Sequence, residues 1–215
     1  MKFQIFKNGK VIDKFALCGA YLFGGDGIGI RRAQITFNDG FVECTKSNLE
    51  TAGLALLWPI EGFGKVLLPT TCLPEREQPY NLNVEIARAK LMQIVNKRED
   101  WLFLNDIEVL EDLLKEAQDL FIKAIQNISV PLKASKLADE SLKKAIISSE
   151  KLAIKQAESL FNTRTRSSPR PAGDIEQLFL HFYIELPANQ IRPVSISRFN
   201  SLLHCYIRRD IKQLI

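Results

Sequence analysis

The chain has 215 residues, 46% of them hydrophobic and 25% charged, with a formal net charge of +4. This make-up excludes a low-complexity or disordered polymer and supplies enough apolar material for one large domain or two small ones. The charge excess is confined to residues 164–215, with eight Lys/Arg against four Asp/Glu, so the rest is balanced and lacks the basic surface of a dedicated nucleic-acid binder.

Residues 1–10 place charges and an Asn-Gly turn where a secretory signal needs an uninterrupted apolar region, so a cytoplasmic protein is expected. The densest apolar run, residues 178–186, contains His181 and Glu185 and falls far short of the ~20 residues of a spanning helix, so membrane insertion is not expected. Cys18, Cys44, Cys72 and Cys205 stand apart, with no Cys-x-x-Cys pair and no histidine beside them, and read as reduced, mostly buried thiols.

Along the chain, residues 2–7 and 11–17 read as strands joined through Asn8-Gly9, the dipeptide suited to a type I′ turn. Further strands are expected at 19–23, 31–37, 41–45, 54–58 and 65–70, with Asn38-Asp39-Gly40 and Glu61-Gly62-Phe63-Gly64 as turns. This spacing points to an antiparallel β sheet or sandwich.

After Pro74 and Pro79 the period changes. Asn81 or Asn83 can cap a helix reaching about Asn96, with Ile86, Ala89 or Lys90, and Gln93 or Ile94 on successive turns. From about Asp106, Ile107, Leu110, Leu114, Ala117, Phe121, Ala124 and Ile128 recur at spacings of three and four, a heptad-like seam. Ser129-Val130-Pro131 breaks that helix, and a third is expected over residues 133–161, with Ala138, Leu142, Ala145, Ile146, Ala153, Ala157 and Leu160 on one stripe. The two long helices form an antiparallel hairpin expected to dock on the β-rich part through Leu110, Leu114, Phe121, Leu142 and Ile146. The Arg/Ser/Pro cluster from Thr163 to Pro171 reads as a linker to a tail without clear period.

Few residues carry a specific chemical signal. Gly24-Gly25-Asp26-Gly27-Ile28-Gly29 fails Gly-x-Gly-x-x-Gly in every frame and lacks a following Gly-Lys-Ser/Thr, so it reads as a connection between strands. His181 and His204 lie in the tail, which leaves the body without histidine for nucleophilic catalysis or metal ligation. Glu61, Glu75, Glu77, Glu85 and Glu99 lie near loops and helix ends, but a glycosidase needs two carboxyls facing across a cleft and sequence cannot pair them. Trp101, Tyr80, Tyr21 and Trp58 are the aromatics able to stack on sugar rings, with Trp58, inside an apolar run, reading first as core. No catalytic residue, metal ligand or cofactor is assigned.

Five runs together resemble a known family: Leu54-Ala55-Leu56-Leu57-Trp58-Pro59-Ile60-Glu61-Gly62-Phe63-Gly64, Leu73-Pro74-Glu75-Arg76, Pro79-Tyr80-Asn81-Leu82-Asn83-Val84-Glu85-Ile86-Ala87-Arg88, Lys97-Arg98-Glu99-Asp100-Trp101 and Leu137-Ala138-Asp139-Glu140-Ser141. Their order and spacing are similar to the amino-terminal region of bacterial endo-1,4-β-xylanase-like proteins, where it precedes a family 10 glycoside-hydrolase barrel. The resemblance covers residues 1–163. It implies a catalytic glutamate in a Trp-Asp-x-x-Asn-Glu-like motif and another in a Thr-Glu-Leu-Asp-like motif, and neither is in this sequence. A (β/α)₈ barrel needs about 200 residues, and 52 follow Thr163. The tail reads as an interruption of gene or frame near Ser167, and the missing secretion signal is unlike most xylan-degrading enzymes.

The expectation is therefore an α+β protein: a β-rich domain over residues 1–78, a helical region over 79–163, and a linker and tail over 164–215. It is expected to act as a non-catalytic accessory module that binds a polysaccharide or supports a barrel. The alternative is a free-standing interaction module, a homo-oligomer assembling through its helical seam.

Overall fold

The computed structural model describes residues 1–7, 10–47, 50–100 and 108–167, and within these the chain is α+β, with antiparallel sheets followed by helices. Strands β1 (Lys2–Gln4), β2 (Phe6–Lys7), β3 (Lys10–Val11), β4 (Tyr21–Phe23), β5 (Gln34–Asn38), β6 (Phe41–Thr45), β7 (Gly53–Ile60), β8 (Gly64–Pro69) and β9 (Tyr80–Asn81) precede helices α1 (Leu82–Asp100), α2 (Glu108–Gln126) and α3 (Pro131–Ser167).

One sheet has the order β5-β6-β1-β9, a second β4-β7-β8, and β2 and β3 form a separate ribbon. All pairings are antiparallel except β1 with β9. The β5–β6 turn forms as its residues dictate: Asp39 and Gly40 take φ of 49° and 85°, the two left-handed positions of a type I′ turn. Asn8-Gly9 lies outside the described residues. Alternation in β7 turns Leu54, Leu56, Trp58 and Ile60 to the core, while Gly53 is pressed under the Phe23 ring of β4, where a Cβ would come within 2.1 Å of that ring.

Several boundaries differ from expectation. The strand expected over residues 11–17 stops at Val11, and the one expected at 19–23 starts at Tyr21. Short β9 sits where a loop and a helix cap were expected, because Tyr80 and Asn81 run alongside Phe3 and Gln4. Asn81 still caps α1: its Oδ1 accepts from the Val84 N–H at 3.4 Å, and its amide donates to Pro131 O and Ser135 Oγ, tying the starts of α1 and α3 together.

Helix α1 shows no single stripe. Leu82 through Ala87 are all buried, since this half is enclosed by the sheets on one side and by α2 and α3 on the other. Pro131 opens α3 instead of merely ending α2, at the first helical position where its missing N–H costs nothing. Helix α3 also runs on to Ser167, into the linker expected from Thr163, with residues 168–215 outside the described part.

The core crosses the boundary expected at residues 78–79. Phe3, Val42, Leu22, Leu54 and Leu56 of the sheets share one buried cluster with Leu82, Val84 and Ile86 of α1 and Ala138, Leu142 and Ile146 of α3. A smaller cluster joins Leu91 and Ile94 of α1 to Leu114 and Ala117 of α2 and Ala145 and Leu152 of α3. The hairpin therefore docks on the sheets through Leu142 and Ile146, while Leu114 packs on α1, which lies between. Phe121 is half-buried against both clusters. Ile128 of the expected seam is exposed; Ile107 and the side chains of Leu110 and Leu160 lie outside the described residues. Alanines at 117, 124, 138 and 145 let the helices approach closely enough for Ser141 Oγ to donate to the Ala117 carbonyl at 2.6 Å.

Candidate functional site: a cleft between the β ribbon and the long helix

A cleft of roughly 270 Å³ opens where the ribbon, the end of β7 and the middle of α3 meet. The ribbon and the segments flanking it contribute Ile5, Phe6, Lys7, Ile12 and Phe15; β7 and its turn contribute Trp58, Pro59, Ile60 and Glu61. Helix α3 supplies Asp139, Glu140, Leu142 and Lys143, which fall on one face because they recur at spacings of three and four. The Phe15 ring stands 5.8 Å from Trp58, at a tilt of 40°.

At the base of the cleft, Asn83 of α1 is fully buried and acts as a substitute peptide group. Its Oδ1 accepts from Phe6 N–H at 3.1 Å, and its Nδ2 donates to Phe6 O at 3.0 Å and to Asp139 Oδ1 at 2.8 Å. One side chain thus pairs the ribbon's backbone, fixes a carboxylate and leaves none of these buried polar groups unmet. At the rim, Lys143 Nζ donates to Glu61 Oε2 at 2.8 Å, joining α3 to the β7–β8 turn and holding the exposed Glu61 carboxyl below its usual range.

Burial pushes the Asp139 carboxyl up from 3.8 to about 6, a rise opposed by the hydrogen bond from Asn83 and assisted by the neighbouring Glu140 charge. An acid raised in the folded state binds protons that the unfolded state has released, so stability is greatest below about pH 4 and falls as pH rises toward 6. The full loss corresponds to about 3 kcal/mol. Urea unfolding of wild type and Asp139→Asn across pH 4–8 is expected to show the variant gaining on the wild type as pH rises, by up to about 3 kcal/mol at pH 8. Parallel profiles would contradict the burial account.

Of the four aromatics singled out from sequence, the three among the described residues do not converge. Trp58 is 5% exposed and forms part of the cleft wall. Tyr80 is 5% exposed, packs against Phe3 at 5.7 Å, lies 3.5 Å beneath the Arg76 guanidinium and donates to Pro74 O at 2.8 Å, so it clamps the preceding loop. Tyr21 is 44% exposed beside Phe23 on β4, and Trp101 lies outside the described residues.

Other sequence candidates have structural roles. In the glycine-rich stretch, the amides of Gly24, Gly27 and Ile28 donate to Ile28 O, Gly24 O and Asp26 Oδ1, so they are taken by the loop itself. Glu75 receives the Met1 ammonium at 2.8 Å, and Glu85 is buried against Arg88 at 3.0 Å. Among the described cysteines Cys44 alone is buried, with its thiol pushed up to about 12 by desolvation; Cys18 is exposed and Cys72 part-exposed, fewer buried thiols than expected. Among the described residues no group of three or more His, Cys, Asp or Glu could hold a metal ion, and no helix is long and apolar enough to cross a membrane.

Sequence reasoning did not single out Asn83, Asp139 or Lys143 as site residues. Asn83 and Asp139 meet across 56 positions; both fall in runs that carry the family resemblance, and Asn83 was otherwise expected only as a possible helix cap. Comparison with known proteins finds no matching family model, no matching curated protein and no matching solved structure.

Proposed function

We propose that this chain is a non-catalytic accessory module, of the kind that precedes a family 10 glycoside-hydrolase barrel, and that it binds carbohydrate in the cleft between the ribbon, β7 and α3. The observation that carries this reading is convergence. Two of the five runs behind the resemblance line the cleft, through Trp58 to Glu61 and through Asp139 with Glu140, and a third braces it from behind through the buried Asn83, which holds Phe6 and Asp139. The chemistry suits a sugar, whose apolar ring face packs on aromatic and aliphatic walls while its hydroxyls seek carboxylates and ammonium groups.

Titration calorimetry of the full chain with xylo-, cello- and manno-oligosaccharides is expected to give saturable binding to at least one series. Failure of all three at millimolar concentration would remove the reading. No hydrolysis of xylan or aryl xylosides is expected. Turnover that survives repurification and disappears on replacing one glutamate of this chain would make it an enzyme.

A second reading, assembly with another chain, is favoured by a separate feature. The seam residues Leu114, Ala117 and Ala124 are consumed inside the chain, but Ile122, Ile128, Val130 and Leu132 are exposed around the α2–α3 turn. Light scattering that gives a dimer mass, reduced to monomer by Val130→Lys, would favour assembly through that tip.

A further inference from the structure

We propose that the free edge of β5 is a self-pairing surface, on which a second copy of this chain lays its own β5 antiparallel, about a twofold axis at Thr36. The inference involves neither the cleft nor the α2–α3 tip and stands independently of the carbohydrate reading.

Exposure of the edge is the first argument. Edge strands carry unpaired N–H and C=O groups, and folds blunt them with charge, proline, shortness or cover. The other edges of the two larger sheets are blunted in this way: β4 has three residues and β9 two, while β8 carries Lys65 and Pro69. Strand β5 has five residues with neither charge nor proline, and among the described residues it pairs on one side only, with β6.

The direction of the backbone groups is the second. The Cys44 N–H donates to Met1 O at 2.9 Å and Cys44 O accepts from the Met1 ammonium at 3.0 Å, so Cys44 of β6 faces β1. These groups alternate sides along a strand, so Val42 also faces β1, while Phe41, Glu43 and Thr45 face β5. Their partners are Asn38, Thr36 and Gln34, which leaves the N–H and C=O of Ile35 and Phe37 aimed at the open edge. With the axis at Thr36, Ile35 of one copy falls opposite Phe37 of the other. The outward groups then meet as hydrogen-bonded pairs, each exchanging two N–H···O=C bonds.

Self-complementarity is the third. Ile35 and Phe37 are half-buried at the margin of the core, and the pairing sets a β-branched side chain beside an aromatic one, a favourable cross-strand combination. Thr36 meets its own copy, and Gln34 meets Asn38, without any clash of charge. Beyond the strand, Asp39 of one copy falls opposite Ala33 of the other, next to Arg32, so opposite charges approach at both ends of the pairing. Among the described residues Arg31, Arg32 and Asp39 form no ion pair within their own chain. A contact along one five-residue strand falls below the roughly 1,200 Å² of stable interfaces, so the dimer is weak and concentration-dependent.

Sedimentation equilibrium of the full chain from roughly 10 µM to 1 mM is expected to show monomer giving way to dimer. Thr36→Lys and Thr36→Glu each set like charges against one another across the axis, and each alone is expected to weaken dimerisation at least about tenfold. An equimolar mixture of the two sets opposite charges there and is expected to restore it. Thr36 is exposed, so both variants are expected to keep the wild-type Tm, which separates lost pairing from lost folding. In the wild-type dimer the Ile35 and Phe37 amides are expected to exchange with solvent at least about tenfold more slowly than in dilute monomer. The inference is overturned by a wild type that stays monomeric at about 1 mM, or by a dimer in which those two amides gain no protection. It is equally overturned by a dimer that the single Thr36 variants leave intact, that their mixture fails to restore, or that Val130→Lys dissolves while the Thr36 variants do not.

Discussion

Replacing Asn83 with alanine is expected to destabilise the protein by about 3–5 kcal/mol, the largest effect of any single polar substitution considered for this fold. The substitution strips three hydrogen bonds at once: Phe6 N–H loses its acceptor, Phe6 O its donor, and Asp139 Oδ1 the amide that holds it. A buried polar group left unmet costs about 1–3 kcal/mol, and here the site is fully enclosed, so water cannot easily replace the amide. For a folded unit of this size the loss corresponds to a fall in Tm of roughly 8–15 °C. Asn83→Asp is the informative control. It keeps an acceptor for Phe6 N–H but removes both donors and places a second carboxylate against Asp139, so it is expected to be at least as damaging at pH 8 and to recover partly at pH 5. A Tm within 2 °C of wild type for Asn83→Ala would mean that the ribbon is not held by this side chain.

The dependence of the cleft on Asn83 explains why the fold was more legible in the sequence than the site. Local signals carried the hairpins. Asn38-Asp39-Gly40 has residues that accept positive φ, and the turn forms there; Phe41–Thr45 alternates one-sidedly, and it and the strands on either side of Glu61-Gly62-Phe63-Gly64 lie close to where they were expected. Periodicity likewise exposed α2 and α3, since each presents one apolar face. It said little about α1, because a helix buried on several sides in its first half has no stripe to find. Asn83 was legible only as a possible helix cap, a role that Asn81 fills, because nothing near it in sequence reveals that its amide faces Phe6 on one side and Asp139 on the other. Asp139 was one of 25 acidic residues, and what distinguishes it is a sheltered position with the neutral Asn83 as its hydrogen-bond partner, where the buried Glu85 has the Arg88 guanidinium. Glu61 and Lys143, 82 positions apart, are joined only by the packing of α3 against the β7–β8 turn.

The apolar counterpart of that argument predicts that Leu142→Ala and Leu114→Ala will each cost about 2–5 kcal/mol, with Leu142 near the upper end. Leu142 is 2% exposed and belongs to the cluster shared by both sheets and the helices, so a cavity there has rigid neighbours on several sides and little scope to collapse. Leu114 sits in the smaller helical cluster with Leu91 and Ile94, where one helix can shift to close part of the space. The two side chains occupy different clusters, so the double variant is expected to lose the sum of the single costs within about 0.5 kcal/mol. Equilibrium urea unfolding of the three variants, read with size-exclusion light scattering at each step, checks both points. If Leu114→Ala instead unfolds at the wild-type midpoint while a dimer becomes a monomer, the seam is an assembly surface. α1 would then have to leave Leu114 accessible, against the packing of Leu91 and Ile94 upon it, and the accessory-module reading would give way to the interaction-module one.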